Sequence, residues 1–171
     1  VLFLSDFFKE ARYTKIKSPA EVVVGTLRLV GQDKLPPPGI GDMSKQAGYM
    51  GQELLNPPSV EGWHTGVEWI NSGSLLARIN FVADRVANTS LPGIQTIIDR
   101  IKDDGVNTPE ELVGASLEYM GFLEVGDETM SQLLDHAKSD GNMNWGDEAA
   151  AGTRIGEMLA LVGATTEYQF G

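Results

Sequence analysis

Apolar positions recur at intervals of three and four along most of the chain, a spacing that predicts helices rather than strands. Leu2, Phe3, Phe7 and Phe8 make one broad apolar side of a helix over residues 2–12, with Lys9, Glu10 and Arg12 opposite. A short basic connector with Lys15 and Lys17 follows at residues 13–17. Ser18-Pro19-Ala20-Glu21 then reads as a helix start. Ser18 is the cap, Pro19 fits the first helical position, and Glu21 closes a capping box. Three consecutive valines, Val22–Val24, suit burial, and Leu27 and Val30 keep the helical spacing up to a stop at Gly31. Pro36-Pro37-Pro38-Gly39 is a stiff linker.

Met43, Ala47, Met50 and Leu54 predict a helix from about Asp42 to Leu55. Asn71 or Ser72 caps the next, which runs to about Ala87 with Leu75, Leu76, Ile79, Val82, Ala83 and Val86 inward. Ser90-Leu91-Pro92 opens a helix with Ile94, Ile97, Ile98 and Ile101 inward and Gly105 as its stop. Thr108-Pro109-Glu110-Glu111 repeats the capping-box pattern, and Asp127 is read as the cap of the helix after it. A last helix runs from near Asp147 to Leu161 or Val162, ends at Gly163, and leaves a short tail. No convincing strand pattern is present. The expected fold is therefore all-α: a compact, single-domain bundle of about eight helices with a Pro/Gly/Trp-rich central loop.

That central loop, residues 51–70, carries Pro57, Pro58, Gly62, Gly66, Trp63 and Trp69. The prolines cannot continue a helix, and the glycines permit turns that other residues avoid. Trp63 in such a setting is expected to be a buried plug.

The chain has 171 residues and no cysteine, which removes disulfides, thiolate nucleophiles and thiolate metal sites. Its net charge of −11 is uneven. Residues 1–102 carry 11 Lys/Arg against 10 Asp/Glu, whereas residues 103–171 carry 2 against 14. The field of residues 103–171 repels phosphate backbones, so nucleic acid is not an expected partner for that half. No apolar run reaches the length of a membrane span.

The ordered set Ile16-Lys17-Ser18-Pro19-Ala20-Glu21, Gly51-Gln52, Pro57-Pro58-x-Val60-x-Gly62-Trp63, Gly66, Trp69-Ile70 and Leu75-Leu76-Ala77-Arg78-Ile79-Asn80-Phe81 resembles the carboxy-terminal part of the DUF1800 family. This is a large bacterial family of uncharacterised proteins. The ending, residues 159–170, resembles that family's too, with Thr165-Thr166 standing where Ser-Pro is usual. The resemblance implies that the chain is the carboxy-terminal part of a longer protein. It also implies export to the periplasm or outside the cell, beside a sulfatase-like partner family. It carries no catalytic residue across.

Hydrolase signatures are missing: Gly114-Ala115-Ser116-Leu117-Glu118 lacks the final glycine of a nucleophile elbow, and His64 and His136 lie in different motifs. Glu61, His64 and Glu68 cluster around Trp63 and have the chemistry to bind a divalent ion or move a proton, but at no recognised ligand spacing. Loop-internal capping is the plainer use of these groups. Residues 140–148 follow the pattern of a calcium loop at its first, third and fifth positions, then depart with Trp145 at the sixth and Ala151 at the twelfth. A turn with a helix cap by Asn144 or Asp147 is the expectation there. Trp63, Trp69 and Tyr49 form a candidate platform for a sugar or peptide, and Arg78 a candidate partner for Glu68 or Glu61. The candidate ligand-binding set is thus Trp63, His64, Glu68, Trp69 and Arg78, with no catalytic residue, metal or cofactor implied. The leading expectation is a non-enzymatic module that packs on the missing amino-terminal part of its parent chain or on a partner protein. The alternatives are a carbohydrate or small-ligand site at the Trp63–Trp69 loop, and an enzyme completed by residues outside this chain.

Overall fold

The structure, a computed structural model, describes residues 2–11, 14–33 and 40–170. The proline connector at 36–39, and Arg12 and Tyr13, lie outside the described residues. Nine α-helices occur among those described. They are α1 (Asp6–Glu10), α2 (Pro19–Leu29), α3 (Ile40–Tyr49), α4 (Ser72–Val86), α5 (Pro92–Asp103), α6 (Pro109–Tyr119), α7 (Asp127–Ser139), α8 (Glu148–Ala164) and α9 (Thr166–Gln169). Short 3-10 turns stand at Leu2–Leu4 and Gly66–Trp69. No strand is present among the described residues, only isolated bridges between Ile16 and Phe170 and between Ser59 and Gly62. The all-α fold follows from the period of the apolar positions, as expected.

Helices α4 and α8 share the largest interhelical contact and form the spine of the bundle. Val82 and Val86 on α4 meet Ile155, Leu159 and Val162 of α8 in one core cluster. Gly163 allows this approach, because a Cβ there would lie 2.6 Å from the Val82 side chain. α6 and α7 pack against each other and on α8, while α2 and α3 close the side nearer α4. The helix starts are set by local chemistry. Ser18 Oγ accepts from the amide of Glu21 at 3.3 Å, while Glu21 Oε2 accepts from the Ser18 amide at 2.7 Å. Thr108 and Glu111 make the same reciprocal pair at 3.3 and 2.9 Å. Asn71 caps α4 and Asp147 caps α8, through bonds from the amides of Ser74 and Ala150.

Several boundaries differ from the sequence pattern. The helix expected over residues 2–12 is a 3-10 turn followed by the five-residue α1, which Ser5 caps. Phe3, Leu4, Phe7 and Phe8 are exposed, so among the described residues the amphipathic pattern is not buried against the bundle. The helix expected to reach Leu55 stops at Tyr49. Gly51 (φ +100°) and Leu55 (φ 66°) turn the chain out of helix, and Leu54 is exposed rather than inward. Gly126, not Asp127, is the N-cap of α7. Gly163 lies inside α8 because close packing overrides its stop signal, and the expected tail forms α9, capped by Thr165.

Candidate functional site

The loop between α3 and α4 lies beside residues 14–18, the extended strap that leads into α2, and the two bound an open cleft of about 620 Å³. Lys15, Glu21, Gln52, Trp63, His64 and Trp69 line it. A second cleft of about 500 Å³, lined by Asn56, Pro57 and Pro58, shares Trp63 and His64 with the first. Trp63 therefore borders both hollows.

Each wall has a physical anchor. Gln52 Oε1 accepts from the Ala20 amide at 2.9 Å, which ties the end of α3 to the first turn of α2. Trp63 Nε1 donates to the Glu53 carbonyl at 3.1 Å. The bond fixes the indole in the loop, where the ring is partly buried. Trp69, only 6% exposed, is the more deeply buried of the two rings and stands at the end of the 3-10 turn. Its carbonyl accepts from Ser74 Oγ at 2.7 Å, joining the turn to α4. Sequence alone could not rank the two rings, because burial here depends on how the loop folds back on α2 and α4.

The strap is held from beneath by α4 and α9. Arg78 is fully buried, and its Nη2 donates to the Lys17 carbonyl. Its Nε donates to Gln169 Oε1 at 3.5 Å, and Gln169 Nε2 donates to the Gly163 carbonyl at 2.8 Å. Arg78 Nη1 has no hydrogen-bond partner among the described residues. Lys17 Nζ donates to the Tyr168 carbonyl at 2.5 Å and sits 4.4 Å above the Tyr168 ring. Burial pushes the pKa of Arg78 down, partly offset by the Glu21 charge. Burial pushes Lys17 down too, against the pull of Glu21, with Arg78 and Lys15 adding to the depression.

The expected pairing of Arg78 with Glu68 or Glu61 is therefore corrected. Arg78 turns away from the loop to main-chain and amide oxygens behind the strap. His64 Nδ1 lies 3.4 Å from Glu68 Oε2, which also accepts from the Thr65 amide at 3.4 Å. Glu61 makes no ion pair with His64 among the described residues, and its amide donates to Ser59 Oγ at 3.2 Å. Among the described residues no three His, Cys, Asp or Glu side chains gather as a metal site. In the 140–148 turn, Asn144 Oδ1 accepts from the Gly146 amide at 3.1 Å and Asp147 caps α8, while Asp140 Oδ2 stands 4.0 Å from Arg154 Nε. His64 and His136 open onto different hollows.

The structure thus brings Trp63, His64 and Trp69 to one cleft, sets Glu68 against His64, and places Arg78 behind the wall. Pattern reading missed Lys15, Lys17, Glu21, Gln52 and Gln169 as members. Glu21 was legible only as a cap, and Gln169 gave no local signal, since its role depends on α9 returning to α4.

The family model described as "Protein of unknown function (DUF1800)" matches residues 1–170. No curated protein and no solved structure matches the chain.

Proposed function

The chain belongs to the DUF1800 family of proteins of unknown function, and from that premise we propose that it works as a non-enzymatic helical module that docks onto another polypeptide. That polypeptide is the rest of its own parent chain or a partner protein. The observation that carries this reading is where the exposed apolar residues fall. Of thirteen exposed large hydrophobics among the described residues, nine lie in two segments: Phe3, Leu4, Phe7 and Phe8 in the first, and Tyr49, Leu54, Leu55, Val60 and Val67 in the second.

Scattered exposed apolar side chains are normal, but four within six residues are not. Phe3 and Phe8 touch only edge to face, with ring centroids 5.0 Å apart, and α1 packs on the 3-10 turn before it. Residues 14–16, which follow this segment, run along the cleft beside the loop that carries the second. Docking would bury apolar surface that the bundle itself leaves in water. No helix among the described residues is long and apolar enough to cross a membrane.

The experiment replaces Phe3, Leu4, Phe7 and Phe8 together by serine. The account expects hydrophobic-dye binding and self-association at high concentration to fall sharply, with the melting temperature within about 2 °C of the parent. A large drop in melting temperature would show these residues to be core rather than docking surface.

The cleft gives specific support to a second reading, a ligand site at the Trp63–Trp69 loop, because both rings line it with polar groups between them.

A further inference from the structure

We infer that the two clefts meeting at Trp63 form one site for a neutral oligosaccharide, with the Trp63 indole as its stacking platform. The inference deepens the ligand-site reading and stands on residues other than the exposed phenylalanines.

Three observations converge. The first is shape. Hollows of about 620 and 500 Å³ share Trp63 and His64, so a chain of linked rings can pass from one to the other across the indole. Each volume lies within the ~300–1,000 Å³ of small-molecule sites. The second is the ring. Trp63 is half-buried and pinned through its N–H to Glu53, so it is held rigidly while part of its surface faces solvent. A sugar ring presents C–H bonds on its face, which an electron-rich indole attracts.

The third is the polar lining. The Lys15 ammonium gives one hydrogen to Glu21 and keeps donors to spare. Gln52 spends its oxygen on Ala20, and its amide nitrogen has no protein partner among the described residues. His64, which lines both hollows, directs Nδ1 at Glu68, and that leaves Nε2 outside the pair. Hydroxyl groups both donate and accept, and this mixture of donors and carboxylate oxygens matches them. The charged groups occur as pairs, Lys15 with Glu21 and His64 with Glu68, rather than as a bare cationic cluster. That pairing, in a half of the chain that carries 11 Lys/Arg against 10 Asp/Glu, favours a neutral glycan over an acidic one or a nucleotide.

The test is calorimetric titration of the whole chain with four probes: cellohexaose, xylohexaose, mannohexaose and chitohexaose. Tryptophan fluorescence is read in parallel. At least one probe should bind at about millimolar concentration or better, with a change in emission, and its monosaccharide should bind at least about tenfold more weakly. Trp63→Phe should keep binding within about threefold, and Trp63→Ala should weaken it at least about tenfold. His64→Ala, at an exposed side chain, should weaken it while leaving the circular dichroism unchanged. No binding by any probe at about 10 mM would overturn the inference. So would equal binding by Trp63→Ala, or preferential binding of a single-stranded oligonucleotide or a proline-rich peptide at Trp63. The serine variant of residues 3–8 should bind the probe like the parent, so failure here and failure of docking are separable.

Discussion

Arg78 on α4 donates a hydrogen bond to the backbone carbonyl of Lys17, so a fully buried guanidinium holds the strap that walls the cleft. Its bonds go to main-chain and amide oxygens, and the carboxylate whose charge acts on it is Glu21. Removing such a group leaves the Lys17 carbonyl and Gln169 Oε1 short of a donor and opens a hole beneath the strap. Arg78→Ala should therefore lose about 3–5 kcal/mol. Arg78→Lys should also be destabilised, because an ammonium cannot reproduce the planar fork that reaches both oxygens. Chemical denaturation checks both, and an Arg78→Ala chain as stable as the parent would refute this role.

The two tryptophans should separate cleanly. Trp69→Ala removes a buried ring and should cost about 3–5 kcal/mol. Trp63→Ala should cost less, about 1–3 kcal/mol, since that ring is only partly buried. Thermal melts of the two variants decide the order, and a reversed order would make Trp63 the main anchor of the loop.

Ser18→Ala and Thr108→Ala should each lose about 1 kcal/mol, the worth of an N-cap side chain. The caps lie on separate helices, α2 and α6, so the double variant should show the sum within error. Urea midpoints at constant slope are the measurement.

Glu21 gives a pH signature. The hydrogen bond from Lys15, then that from the Ser18 amide, holds its carboxyl below the ordinary 4.5. A depressed carboxylate stabilises the fold above its unfolded pKa and loses that contribution as pH falls through the folded value. Glu21→Gln should thus be less stable than the parent at pH 7, and the gap should narrow as pH falls below the ordinary carboxylate range and close once the depressed folded carboxyl is protonated. A gap that persists unchanged to low pH would mean the charge of Glu21 contributes nothing.

The helical layout was legible because it rests on local signals. Capping boxes at Ser18 and Thr108, the Asn71 cap and the three-and-four spacing of Ile94, Ile97 and Ile101 all act within a few residues. What was not legible depends on contacts across the chain. Arg78 and Gln169 are 91 positions apart, and nothing near either marks the other. Leu54 fits a helical stripe, but positive φ at Gly51 and Leu55 sends the chain elsewhere. Phe3, Phe7 and Phe8 carry a core-like pattern and yet stand in solvent, because an amphipathic stripe says that a surface is to be covered without saying by what.

That uncovered stripe is the central claim, and photo-crosslinking in the native cell tests it most directly. A photoreactive residue at Phe7, 76% exposed, is compared with one at Phe122, 73% exposed but outside the two apolar segments. Docking predicts that the probe at position 7 yields one discrete polypeptide adduct, within a longer parent chain or to a partner, and that the probe at 122 yields none. Equal labelling from both positions, or no adduct from position 7, would contradict it.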